Sequence, residues 1–89
     1  MPFRDVEIAN KLGLHLRAAA SFVQIAEKYH CRIWVSKDGH RANGKSILSV
    51  LALGTPKGEK VRIETDGKGA DEALDVLVKF VEGRFGEPE

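Results

Sequence analysis

The spacing of apolar residues alternates between two periods along the 89-residue chain. Val6-Glu7-Ile8 and Lys60–Thr65 alternate apolar and polar residues, and Arg32–Lys37 is rich in β-branched and aromatic side chains. Each of these segments predicts a strand. Asp38-Gly39 predicts a tight hairpin, because a type I′ turn needs two residues that tolerate positive φ. A short return strand is therefore expected over His40–Asn43.

Between these strands the apolar spacing becomes helical. Ala19, Phe22, Val23 and Ala26 form one stripe at i, i+3, i+4 and i+7, which predicts a helix from Leu16 to Tyr29. Ser46 is a favoured N-cap, so a second, short helix is expected from there to Leu53, ended by Gly54. A third helix is predicted over Ala70–Val81, with a buried stripe of Ala70, Ala73, Leu74, Leu77, Val78 and Val81.

The order of elements is therefore β-α-β-β-α-β-α, in one domain over residues 1–89, with a tail at 83–89 expected to be frayed. The strands keep a polar outer face. This pattern favours the α+β class, with a largely antiparallel sheet that carries helices on one side and water on the other.

Composition narrows the classes of function. The sequence is 43% hydrophobic and 30% charged with a net charge of +1, so no bulk charge attracts nucleic acid or a membrane surface. Cys31 is alone, which excludes an internal disulfide, and His30 and His40 show no metal-ligand spacing. No apolar run is long enough to cross a bilayer. We expect a cytoplasmic protein without metal or cofactor.

The candidate chemistry lies at the start of the first helix. In Gly13-Leu14-His15-Leu16-Arg17 a histidine stands between a glycine loop and the helix N-terminus. That end carries unpaired N–H groups and partial positive charge, which disfavours a protonated ring and suits a bound anion. Arg17 could add a charge-assisted hydrogen bond. A surface histidine without a role is the competing interpretation.

Two segments together resemble the HPr family, the histidine-containing phosphocarriers of the bacterial phosphotransferase system. Residues 13–19 match the family pattern Gly-Leu/Ile-His-x-Arg-Pro-Ala at every position but the proline, and Gly44-Lys45-Ser46-Ile47 gives a second match. The resemblance covers about residues 3–82. It implies an open-faced β-sandwich, a four-stranded antiparallel sheet with three helices on one face.

The resemblance also implies roles for individual residues. His15 would take a phosphoryl group from enzyme I and pass it to enzyme IIA-type domains, and Arg17 would steady the phosphorylated state. Ser46 would be the target of an HPr kinase/phosphorylase in some bacteria. The partner-docking residues would be Ala20, Ile47, Leu48 and Leu51. Such a chain is a monomer and a stoichiometric carrier rather than an enzyme.

Ala18 departs from the family pattern, which has proline there. Alanine is a strong helix former, so the helix should persist, but a backbone N–H returns at its start. This departure leaves open whether the chain serves sugar uptake or a nitrogen-linked branch. A second class of function also stays open, a regulatory interaction module controlled through Ser46, whose hydroxyl has a plain alternative role as an N-cap.

Residues 39–46 also fit the phosphate-loop pattern G-x-x-x-x-G-K-[ST] letter for letter. We reject this interpretation, because the hairpin at Asp38-Gly39 uses the intervening residues as a strand rather than as a phosphate cradle. A chain of this length also lacks the large parallel sheet that usually surrounds that motif.

Overall fold

The computed structural model describes all residues from 1 to 89. The elements follow the predicted order, with one added 3₁₀ turn, Arg84–Gly86, after the last helix. In chain order they are β1 (Phe3–Glu7), α1 (Leu16–Ala26), β2 (Arg32–Lys37), β3 (His40–Asn43), α2 (Ile47–Leu51), β4 (Lys60–Asp66) and α3 (Ala70–Glu82).

The four strands form one antiparallel sheet in the order β1-β4-β2-β3. Ala42, Val35 and Ile63 lie side by side across three strands and all are buried, so this row faces the helices. Alternate residues point to the opposite, open face, as the period of two requires. The predicted α+β open-faced sandwich is confirmed.

The helices cover one face of the sheet through the stripes that the sequence predicts. α1 buries Ala18 together with the four stripe residues, and α3 buries all six residues of its predicted stripe. These side chains and the inward strand residues make a single core cluster. None of the helices combines the length and the apolar character that crossing a membrane requires.

The predicted bounds of two helices are too long. α1 ends at Ala26 because the amides of Lys28 and Tyr29 bond three residues back, to Ile25 and Ala26, as in a turn. α2 ends at Leu51, and the chain leaves it through Gly54 at a φ of +56°. Both ends are tightened turns, which spacing alone does not distinguish from helix.

The open face of the sheet is polar but carries aromatic rings beneath arginines. The Arg41 guanidinium lies 3.9 Å from the centre of the Trp34 ring. Across the neighbouring strands, Arg62 donates to both carboxylate oxygens of Asp5, at 2.8 and 3.2 Å. The hydrogen bond from Arg62, and its charge, hold the pKa of Asp5 below its usual value.

The expectation of a frayed tail at residues 83–89 is corrected by the structure. Arg84 and Phe85 adopt left-handed conformations, with φ of +63° and +54°, and turn the chain back onto the fold. Phe85 is only 6% exposed and meets Phe80 edge-on at 5.7 Å between ring centres. The backbone of Glu89 then accepts a hydrogen bond from the Lys11 amide at 2.9 Å. The tail therefore reaches the loop before α1.

Candidate functional site

His15 is the N-cap residue of α1. Its backbone is extended, with φ −87° and ψ 179°, and its Nδ1 accepts the Arg17 N–H at 3.2 Å. Its carbonyl accepts the Ala19 N–H at 2.9 Å, the first regular bond of the helix. The side chain is 26% exposed, so part of it remains accessible to solvent. The sequence-based placement of His15 at the helix start is confirmed.

The loop before His15 is fixed by close backbone packing against Thr55. Leu14 donates its N–H to the Thr55 carbonyl at 2.9 Å. Gly13 has a φ of +71°, and a Cβ at this position would lie 2.7 Å from the same carbonyl oxygen. Only glycine avoids both the left-handed penalty and this overlap. The glycine of the motif therefore sets where the imidazole stands.

The second ring nitrogen of His15 meets the C-terminal tail. Nε2 contacts the carboxylate of Glu87, and the other Glu87 oxygen accepts from the Asn10 side-chain amide at 2.9 Å. Asn10 is fully buried and also donates to the Gly13 carbonyl at 2.7 Å. A hydrogen-bonded chain thus joins the loop, the tail and the ring. Sequence analysis missed Asn10 and Glu87, because it treated the tail as frayed.

Charge at this site shifts the ionisation of Glu87. Burial raises the pKa of the Glu87 carboxyl, but the hydrogen bonds from Asn10 and His15 and the positive charge of Arg17 outweigh burial. The pKa therefore lies below the usual glutamate value, and Glu87 is an anion at neutral pH.

Donors that could hold an anion remain free beside His15. The Arg17 side chain is exposed, and its guanidinium takes part in none of the ion pairs of the structure. The N–H groups of Leu16 and Ala18, in the first turn of α1, have no backbone acceptor. α1 begins at Leu16 despite the alanine at position 18, so the expectation that the helix persists is confirmed.

Ser46 caps the second helix, as its sequence position predicts. Its side-chain oxygen accepts the Ser49 N–H at 3.4 Å, a long contact, and the residue is half-buried. The two residues before it have structural roles. A Cβ on Gly44 would lie 2.5 Å from the Ile33 side chain, and Lys45 Nζ donates to the Tyr29 carbonyl at 2.6 Å, beyond the end of α1.

The structure of residues 39–46 also excludes the phosphate-loop interpretation of this segment. Residues 40–43 form strand β3, and Asp38 and Gly39 form the predicted turn with φ of +50° and +83°. No phosphate cradle is present in this segment. The structure contains no group of three or more His, Cys, Asp or Glu side chains arranged for a metal ion.

The four docking residues suggested by the sequence differ in exposure. Leu48 is 76% exposed and Ile47 is also exposed, whereas Ala20 and Leu51 are half-buried. Their helices, α1 and α2, pack against each other. Sequence analysis missed two further exposed apolar residues next to the histidine, Leu12 and Leu16; the signal for Leu16 was its position at the margin of the buried stripe.

Comparison with known proteins agrees with this geometry. The sequence matches the family described as "PTS HPr component phosphorylation site" over residues 3–83. It is 43% identical to the phosphocarrier protein HPr of Neisseria meningitidis over 86 residues, covering 97% of each chain. The crystal structure of HPr-C-His from Thermoanaerobacter tengcongensis superposes with a TM-score of 0.94 at 43% identity, covering 100% of both chains.

A crystal structure of an HPr dimer from Thermoanaerobacter tengcongensis is similar at a TM-score of 0.77 and 45% identity, covering 92% of this chain and 94% of that one. The family match covers most of the chain, and the relatives are matched over nearly their full length. The chain belongs to the HPr family of phosphocarrier proteins of the phosphotransferase system.

Proposed function

We propose that this chain carries a phosphoryl group on Nδ1 of His15, received from enzyme I and donated to enzyme IIA-type domains in the cytoplasm. The observation that carries the proposal is the orientation of the ring. Nδ1 accepts the Arg17 N–H, so this nitrogen holds a lone pair, while Nε2 holds the proton toward Glu87. A neutral imidazole with its lone pair at a helix N-terminus is a competent nucleophile.

The transfer step needs only positioning and charge. The Nδ1 lone pair attacks the phosphorus of the donor phosphohistidine, and the old P–N bond breaks with its electron pair returning to the donor nitrogen. The proton on Nε2 stays in place. The phosphoryl oxygens then meet the free N–H groups of Leu16 and Ala18 and the Arg17 guanidinium, which act as anion donors at the helix dipole.

Docking is proposed to use the apolar side chains of the two neighbouring helices. Leu48 and Ile47 lie in α2 and Leu16 opens α1, all exposed, with Ala20 and Leu51 at the half-buried margin. Exposed apolar residues grouped near a reactive side chain are typical of a partner surface. We propose that the carrier docks as a monomer and is regenerated in each cycle, so it is not itself an enzyme.

The test is phosphorylation by enzyme I and phosphoenolpyruvate, followed by assay of acid-labile phosphate. The wild type should take up label that His15→Ala does not, and ³¹P NMR should show the signal of an Nδ1 phosphoramidate. His30→Ala is the matched control, because His30 is exposed and follows the C-terminal end of α1, whereas His15 precedes its start. Equal labelling of wild type and His15→Ala would refute the proposal.

A second proposed function is regulation through Ser46. The observation that favours it is that the Ser46 hydroxyl has only one long contact and directly precedes the exposed pair Ile47 and Leu48. A phosphate there would place negative charge beside an apolar docking surface. Incubation with an HPr kinase and ATP should label the wild type and not Ser46→Ala; an unlabelled wild type would remove this function.

A further inference from the structure

We infer that Glu87, in the tail that was expected to be frayed, is a positioning residue for the nucleophile of His15. Its carboxylate holds the single proton of the neutral ring on Nε2, and Nδ1 therefore keeps its lone pair at the start of α1. This inference rests on the proposed phosphorylation of His15.

The two hydrogen bonds of the His15 ring, to Arg17 and to Glu87, differ in how strongly they determine its tautomer. The Arg17 N–H approaches Nδ1 at 3.2 Å, which is long, and a backbone donor there could be lost with little change in the ring. An ionised carboxylate has only acceptors, so its hydrogen bond with Nε2 requires that this nitrogen carry the proton. Among the neighbours of the ring, Glu87 is therefore the group that selects the tautomer.

Glu87 is itself held in place by a partner with little freedom. The Asn10 amide nitrogen divides its two protons between the Gly13 carbonyl and Glu87. Asn10 Oδ1 is buried without a hydrogen-bond partner. Reversal of this amide would point an oxygen at two other oxygens, so its orientation is fixed. Both oxygens of Glu87 consequently face donors, a demand that a carboxylate meets and a glutamine amide does not.

The carboxylate also matters during transfer. When Nδ1 forms its bond to phosphorus, the ring keeps the Nε2 proton and becomes cationic. The hydrogen bond to Glu87 then joins two opposite charges and strengthens. Other charged side chains around this part of the tail are Arg17, Lys11 and Glu89, and the last two pair with each other at 3.7 Å. Glu87 thus favours the transition state more than the resting ring.

The experiment compares wild type with Glu87→Gln, using Glu89→Gln as the matched control. Glu89→Gln removes the same charge two residues along the tail, from an exposed side chain that forms an ion pair with Lys11. Two-bond ¹⁵N–¹H spectra of labelled histidine report the tautomer without phosphorylation. The rate of labelling by enzyme I then gives kcat/KM.

We expect Glu87→Gln to shift His15 toward the Nδ1–H tautomer and to lower kcat/KM about tenfold, the scale of one charge-assisted hydrogen bond. Glu89→Gln should match wild type in both readouts. Glu87→Asp, which keeps a carboxylate, should hold more of the Nε2–H tautomer than Glu87→Gln. Amide spectra of each variant establish that the fold is retained.

The outcomes separate this inference from the proposed function. A wild type that takes no label from enzyme I refutes the carrier function itself. A labelled wild type, with Glu87→Gln unchanged in tautomer or in rate, refutes only the role of Glu87. The same holds if Glu87→Asp behaves no better than the glutamine variant, because a purely steric role would then explain the effect.

Discussion

Truncation of Phe85 to alanine should release the tail from the fold without unfolding the sheet. Complete burial of a phenylalanine contributes about 1.5–3 kcal/mol. Against this, the left-handed conformations of Arg84 and Phe85 each cost about 1–2 kcal/mol. The remaining attachment is a few hydrogen bonds, including the Lys11 amide to the Glu89 carbonyl and the Asn10 side chain to Glu87, both at 2.9 Å.

The net free energy of tail docking is therefore small. It limits how much stability the protein can lose when the tail detaches. Truncation of a phenylalanine within a rigid core lowers the free energy of unfolding by about 3–5 kcal/mol, because a cavity remains. Here the tail can detach instead, so the free energy of unfolding should fall by no more than the Phe85 burial term of about 1.5–3 kcal/mol. The amides of Lys11, Gly86 and Glu87, which bond to or within the tail, should lose protection from hydrogen exchange.

Urea titration and hydrogen exchange monitored by NMR measure the two effects together. Phe85→Leu is the control, because it keeps most of the buried apolar area and should retain protection at these amides. A loss of about 3–5 kcal/mol with the tail amides still protected would show a cavity in an intact fold and refute the argument. Unchanged exchange in the alanine variant would show that Phe85 does not anchor the tail.

Three further changes test other parts of the fold and site. Gly13→Ala should lower the free energy of unfolding, measured by urea titration, more than Gly58→Ala does. Both residues have positive φ, which costs an alanine about 1–2 kcal/mol, but only at Gly13 would the added Cβ also overlap a carbonyl oxygen. Equal losses in the two variants would contradict this overlap. Glu87→Gln should destabilise the fold at about pH 7, and this effect should shrink as the pH falls below the ordinary glutamate range, because the stabilisation from a carboxylate of lowered pKa is lost as pH falls through the folded-state pKa. Urea titrations at neutral and acidic pH check this, and an undiminished difference in acid would refute it. Leu48→Glu should raise the KM of enzyme I for this carrier about tenfold without changing the carrier's stability, whereas Phe3→Glu, on the sheet face away from the helices, should leave this KM unchanged. Steady-state kinetics that show equal effects of the two substitutions would exclude docking through Leu48.

The layers of the fold were predictable because they follow from local periodicity. The apolar stripe in α3 predicted which face of that helix is buried, and Asp38-Gly39 predicted the hairpin. Both patterns depend only on residues close together in the sequence. The strand order was not available from periodicity, because it depends on which segments pair across long loops. The structure supplies this order.

The site was predictable in part for the same reason. His15 and Arg17 stand next to a glycine loop and a helix start, which a short window reveals. Glu87 lies 72 residues from His15, and no short-range pattern links them. The only local signal was Phe85, the one large apolar residue of the tail, which indicates that this segment has a place to pack.

Trp34 lies on the side of the sheet away from the helices, in cation–π contact with Arg41. As the only tryptophan, it dominates intrinsic fluorescence, and its emission reports the integrity of the sheet. Events at the imidazole or in the tail take place behind that sheet and should leave the emission unchanged. Trp34 fluorescence can therefore serve as an internal reference. Changes at the imidazole or in the tail can be followed by other signals while this emission shows that the sheet stays intact.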